Sequence, residues 1–140
     1  MEDKQIFVDT NILIYAYDLD AQEKHKIAKV KIQSLWNQLP LPSTSIQVLQ
    51  EFYVNLIRKN VPSKIARETI MDYLAWNIIR NDEVLLVEGM RLKERWDISL
   101  WDALILAAAK SAKASILWSE DFNSDQEYEG ILVINPLKVK

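Results

Sequence analysis

The chain has no cysteine, one histidine and two glycines in 140 residues, and each scarcity closes off a class of chemistry. Without cysteine there are neither structural disulfides nor thiolate metal sites, so any metal must be held by oxygen or imidazole. His25, standing alone, leaves little for a two-histidine hydrolase or a Ser-His-Asp triad. Gly89 and Gly130 cannot build a G-x-G-x-x-G turn or a P-loop, which excludes nucleotide-cofactor enzymes of those types. Long apolar runs are absent too. The longest, residues 103–109, is far short of the ~20 residues that cross a bilayer. Met1-Glu2-Asp3-Lys4 is not an apolar targeting segment, so a cytoplasmic location is the expectation.

Excess positive charge is also lacking: the net charge is -3, with 20 acidic residues against 17 basic. That argues weakly against a nucleic-acid partner, since phosphate binding draws on Lys and Arg. If four acids sit on a metal, however, 16 remain against 17 bases and the rest of the surface is near neutral. What the chain has in plenty is apolar content, 49% of its residues. That is enough to bury a core in one domain spanning residues 1–140.

Ile6-Phe7-Val8 reads as a strand ending at Asp9-Thr10-Asn11, followed by a helix carrying Ile12, Leu13, Tyr15 and Ala16. Ala28, Ile32, Leu35 and Trp36 recur at helical spacing among lysines, predicting an amphipathic helix over 21–38. Pro40 to Thr44 suggests a short edge strand, and Ser45 caps a helix reaching about Lys59. Asn60-Val61-Pro62-Ser63 breaks that helix, and Ser63 caps another running through Ile79. Val84-Leu85-Leu86-Val87 reads as a strand, with helices over 88–96 and 100–112, the second apolar nearly all round and hence buried. Ser115-Ile116-Leu117-Trp118 and Ile131-Leu132-Val133-Ile134 supply the last strands. Alternating strands and helices indicate an α/β domain with a mainly parallel sheet covered on both faces.

In such a sheet, ligands bind outside the carboxyl ends of the strands, where the following helices also begin. Asp9 ends the first strand, Asp121 follows the strand ending at Trp118, and Asp102 opens a helix, so all three fall on that edge. Glu51 lies about two turns into its helix, roughly 9 Å from its start, and must lean back to join them. Each acid also has an ordinary structural reading. Asp9 is placed to cap its helix, in competition with Thr10. Ser99-Leu100-Trp101-Asp102 fits a capping box. Glu51, with Gln47, Asn55 and Arg58, faces away from the stripe Ile46, Leu49, Tyr53, Leu56 and reads as a solvated residue. Asp121 sits in a polar loop, Ser119-Glu120-Asp121, with Asp125 close by.

Taken together, Ile6-Phe7-Val8-Asp9-Thr10-Asn11, Glu51 in a mid-chain helix, Ser99-Leu100-Trp101-Asp102-Ala103-Leu104-Ile105 and Leu117-Trp118-Ser119-Glu120-Asp121-Phe122 closely resemble the PIN-domain family. Within it the chain is similar to the VapC-type toxin ribonucleases. The resemblance spans essentially the whole chain, through Ile134-Asn135-Pro136. It implies a three-layer α/β/α fold and a metal-dependent endoribonuclease leaving a 5′-phosphate and a 3′-hydroxyl. It also implies an RNA substrate, a co-encoded antitoxin protein as partner, and a homodimer, for which the amphipathic helices between Ser45 and Ile79 are the natural surface. By the same resemblance Asp9, Glu51 and Asp102 are its three most regular acids and Asp121 its fourth, with Glu120 or Asp125 as substitutes for the last. Thr10, Asn11, Ser119 and Asn123 correspond to small polar residues around the site that orient carboxylates or hold a water.

Four clustered carboxylates repel one another unless a cation or protons compensate, and all-oxygen ligation suits Mg²⁺ or Mn²⁺ over zinc or copper. Lys24, Lys26, Lys29 and Lys31 offer either a phosphate-facing surface or a plain solvated helix face. His25 is expected on an exposed helix surface, and of the five tryptophans Trp101 and Trp118 stand beside the acids. Two other functions compete: a non-catalytic module that binds RNA or protein, and a phosphatase of the haloacid-dehalogenase type using Asp9 as nucleophile. The latter ends its first strand in D-x-D, and here Asn11 replaces the second Asp.

Overall fold

A computed structural model describes residues 5–138. Ile6–Val8 forms β1, Ser43–Ser45 β2, Asn77–Ile79 β3, Ile116–Trp118 β4, Glu127–Tyr128 β5 and Ile131–Ile134 β6. The helices are α1 (Thr10–Tyr15), α2 (Glu23–Trp36), α3 (Ile46–Arg58), α4 (Ser63–Tyr73), α5 (Glu83–Trp96) and α6 (Leu100–Ser111). The six strands lie in the order β3-β2-β1-β4-β6-β5, all parallel except β5, which runs antiparallel to β6.

That order fixes the layers. From β1 to β2 to β3 the chain moves one way across the sheet, and from β3 it crosses back past β1 to β4. Because parallel crossovers are right-handed, α1 to α4 cover one face and α5 and α6 the other. The α/β/α arrangement expected from the sequence is the one found. Phe7, Val8, Leu117 and Val133 are fully buried between the two layers, as strands covered on both faces require. On the second face α5 and α6 touch at Gly89, where an added Cβ would lie 2.6 Å from a Leu104 methyl, so a larger residue there would require Leu104 to shift.

Several local expectations are corrected. Val84-Leu85-Leu86-Val87 is the first part of α5, not a strand: the Asp82 carboxylate accepts the Leu85 N–H at 2.9 Å and caps it. Leu85, Gly89 and Leu92 are buried while Val84 and Val87 are exposed, a helical rather than a strand period. The third strand is instead Asn77–Ile79, which pairs with Ser43–Ser45, so the helix from Ser63 ends at Tyr73 and not at Ile79. Ser63 makes no side-chain cap; Pro62 precedes it at the cap position. β2 lies inside the sheet, not at its edge. It tolerates Pro40 and Pro42 because both precede the ladder, and the Pro42 carbonyl accepts the Asn77 N–H at 3.1 Å. Leu19–Ala21 forms a separate 3₁₀ turn ahead of α2, and the short β5 was not foreseen. Ser45 and Ser99 cap α3 and α6 as expected, and residues 103–109 of α6 are buried.

Candidate active site

The strand order reverses direction between β1 and β4. This is the switch point at which an open α/β sheet leaves a crevice beyond its carboxyl edge, and the chain segments leaving both strands carry acids into it. Asp9 follows β1 and is buried, 4% exposed. Its backbone N–H donates to the Trp118 carbonyl at 2.9 Å, extending the β1–β4 ladder by one bond. One carboxylate oxygen accepts the Thr10 N–H and the other the Ser119 hydroxyl, both at 2.7 Å. The capping reading of Asp9 is therefore correct, and it occupies only part of the carboxylate's acceptor capacity.

The remaining contacts tie four segments together. Thr10 donates its hydroxyl to Glu51 Oε2 at 2.8 Å, drawing the α3 side chain back toward the strand ends. α3 buries Gln47, Val48, Leu49, Phe52 and Leu56: Phe52 takes the place expected of Tyr53, Gln47 is buried against Asn81 rather than solvated, and Glu51 stays exposed. Ser99 accepts the Asp102 N–H at 3.0 Å, so the serine and not the half-buried Asp102 carboxylate caps the helix. Ser119 Oγ accepts the Asp121 N–H at 3.1 Å, so one serine hydroxyl links Asp9 to the loop bearing Asp121.

Burial pushes the Asp9 carboxyl up to about 7, against the pull of the Ser119 and Thr10 hydrogen bonds, and the charges of Asp121 and Glu51 add to the rise. Asp102 is raised as well, first by burial and then by Asp121, with Glu51 contributing and the Ser99 contact opposing. Asp121 is raised by burial, then by Glu120, with Asn11 opposing and Glu51 adding. Glu51 is thus the shared neighbour of the other three, and the four acids form one electrostatic unit. Among the described residues no three of these groups stand close enough together to hold a metal ion as they are. Like charges spread apart, and Glu51 is held toward Thr10. The donor set is nonetheless all carboxylate, the chemistry of a hard divalent cation.

Glu120 points elsewhere. It accepts hydrogen bonds from Tyr15 Oη and Lys24 Nζ, each at 2.7 Å. Burial raises its carboxyl, but Lys24 and Tyr15 together bring it below the usual range. Asp125 is exposed at a left-handed backbone position, φ 68°, with its N–H on the Val133 carbonyl. Asn11 Oδ1 faces the Glu120 N–H at 3.4 Å, whereas the Asn123 amide is turned to Gln126 at 3.1 Å. His25 is half-buried rather than exposed, its Nδ1 2.9 Å from the Tyr15 carbonyl. Lys26, Lys29 and Lys31 lie on the solvated surface of α2, and Lys26 pairs with Glu23. Trp101, beside Asp102, is 66% exposed. The sequence does not single out Tyr15, and it offers Lys24 only as one of a run of lysines, because their common partner Glu120 lies about a hundred residues away.

No curated protein matches the sequence. Among solved structures, a toxin–antitoxin complex from Klebsiella pneumoniae is similar at TM-score 0.71 and 24% identity, covering 96% of this chain and 100% of that one. VapC20 of Mycobacterium tuberculosis, a sarcin-ricin-loop-cleaving toxin, is similar at TM-score 0.67 and 21% identity, over 84% of this chain and 90% of that one. VapBC2 of Rickettsia felis, bound to a DNA fragment from its promoter, reaches TM-score 0.60 and 16% identity, over 91% and 96%. These likenesses concern the fold. The profile of the PIN domain matches residues 6–126, from the first residue of β1 to just before β5, and the chain belongs to the PIN domain family.

Proposed function

We propose that this PIN domain is a Mg²⁺- or Mn²⁺-dependent endoribonuclease, the toxin of a toxin–antitoxin pair, with Asp9, Glu51, Asp102 and Asp121 as its metal-holding and catalytic acids. The observation that carries the reading is Asp9: a carboxylate at the sheet's switch point, held by two hydrogen bonds, whose charge is made costly first by burial and then by the neighbouring Asp121 and Glu51. Structural acids are normally paired with bases, and these are not; among the described residues no Lys or Arg ion pair involves any of the four. A divalent cation, when bound, would neutralise the cluster, polarise a phosphodiester and lower the pKa of a water for in-line attack.

The chain's own residues prepare that chemistry. Ser119 and Thr10 fix both Asp9 oxygens, Thr10 also orients Glu51, and Ser99 caps the helix that carries Asp102. The products would carry a 5′-phosphate and a 3′-hydroxyl. The fold's similarity to toxins from two toxin–antitoxin complexes supports a small antitoxin protein as partner, and no helix among the described residues is long and apolar enough to cross a membrane, in keeping with a cytoplasmic site of action. Residues 1–140 would act as a single nuclease domain.

The test compares RNA with a small phosphate ester, with Mn²⁺ and with EDTA. RNA cleavage abolished by EDTA, with the ester untouched, is expected. Ester hydrolysis would favour a phosphatase, and binding of RNA without cleavage in any divalent metal would leave a non-catalytic module.

A further inference from the structure

Glu120 sits between two residues of the proposed site, yet its side chain leaves it. Two successive residues after β4 are pinned by partners on other segments. Ser119 donates to Asp9 at 2.7 Å, and the Glu120 N–H faces Asn11 Oδ1 at 3.4 Å. The Glu120 carboxylate then takes one oxygen to Tyr15 Oη on α1 and the other to Lys24 Nζ on α2, both at 2.7 Å. Lys24 also lies over the Tyr15 ring, 5.0 Å from its centroid, so the three side chains support one another. Beyond Glu120 the chain has no regular structure until Glu127, and Asp121 is held through its N–H on Ser119 Oγ at 3.1 Å and through the contact of its carboxylate with Asn11. Whatever fixes Glu120 therefore limits where Asp121 can swing.

We propose that Tyr15 and Lys24 are positioning residues that act through Glu120, clamping the 119–121 segment so that Asp121 is presented to the carboxylate cluster. The inference rests on the nuclease reading only for its catalytic consequence; the clamp itself is a statement about the loop. Lys24 pairs with Glu120 at 2.7 Å and so holds that carboxylate away from the cluster. Lys24 is thus the one lysine of the α2 run drawn to the site, through a carboxylate rather than through a substrate phosphate.

The variants are Tyr15→Phe, which removes one hydroxyl and keeps the ring, Lys24→Met, which removes the charge and keeps the stem, and Lys24→Arg as the conservative rescue. Amide hydrogen exchange read by NMR on the full chain, in EDTA, reports the clamp without metal or RNA. Tyr15→Phe and Lys24→Met are expected to raise exchange at Asp121 about tenfold while the β1 and β4 amides keep their protection, and Lys24→Arg to restore most of it. Unchanged exchange at Asp121, or loss spread over the whole sheet, overturns the proposal. In cleavage assays kcat should fall severalfold with KM for RNA unchanged, and Lys24→Met should add nothing to Glu120→Gln. A raised KM with additive effects would make Lys24 a phosphate contact instead and overturn the proposal. If the parent cleaves no RNA, the exchange result decides the clamp by itself.

Discussion

Replacing Asp9 by Asn should stabilise the protein when metal is withheld, and the size of the gain follows from the carboxyl's surroundings. Its pKa lies at about 7 instead of the ordinary 3.8, with burial the main cause. At 1.36 kcal/mol per pKa unit, ionising it in the folded state costs at most about 4 kcal/mol more than in the unfolded chain. The sign is that of a raised carboxyl: its favourable contribution is complete below 3.8 and is lost as the pH climbs through about 7. Asn keeps the acceptor for the Thr10 N–H, but its NH₂ faces Ser119 Oγ, and the serine proton loses its acceptor, at a cost of about 1 kcal/mol. The expected balance at about pH 8 in EDTA is a gain of roughly 1–3 kcal/mol for Asp9→Asn, falling to zero or slightly below near pH 4. Urea unfolding at both pH values measures it. With Mn²⁺ at a hundred times its Kd the parent gains about 2.7 kcal/mol by mass action and the variant does not, so the variant's advantage is all but cancelled or reversed. A variant less stable than the parent at both pH values, with no response of either to metal, would refute the reasoning.

Asp102→Asn should abolish RNA cleavage with the melting temperature kept or raised, since Ser99 and not Asp102 supplies the helix cap, whereas Asp125→Asn, at an exposed left-handed position that Asn tolerates, should leave cleavage nearly intact. At the opposite edge of the sheet Glu129 receives Arg91, Lys110 and Trp96 at 2.7, 2.8 and 2.9 Å, and Arg91 foremost holds its carboxyl down at about 2. That stability is present above 4.5 and fades as the pH falls toward 2, so Glu129→Gln should cost about 1 kcal/mol in urea melts at neutral pH, after allowance for solvent screening, and little near pH 2. Finally, Ile46, Tyr53, Val54, Ile70 and Leu74 line an apolar groove between α3 and α4, and sedimentation should find a homodimer at micromolar concentration; monomer alone would count against it.

The parallel core and the acid-bearing edge were legible in the sequence because both depend on local pattern. Ile6-Phe7-Val8 and Ile131-Leu132-Val133-Ile134 are apolar throughout, and an acid directly after such a strand has one place to go. Val84-Leu85-Leu86-Val87 misled because four β-branched and aliphatic residues in a row fit a buried strand and a helix start alike, and the Asp82 cap that decides between them was overlooked. Asn77–Ile79 was hidden for the opposite reason: exposed or half-buried and three residues long, it owes its conformation to β2 rather than to its own composition. The commitments of Glu120 to Tyr15 and Lys24, and of Asn123 to Gln126, are side-chain choices among neighbours, and no spacing rule distinguishes them from turning inward.

On the proposed reading, four carboxylates, one just after β1, one on α3, one on α6 and one in the loop after β4, hold a divalent cation between them. Anomalous diffraction at the manganese edge, on crystals of the full chain soaked in Mn²⁺, tests it most directly. The account predicts a peak within bonding distance of Asp9 and flanked by Glu51, Asp102 and Asp121, absent from Asp9→Asn crystals. A peak elsewhere, or none at millimolar Mn²⁺ with the cluster unchanged, would contradict it.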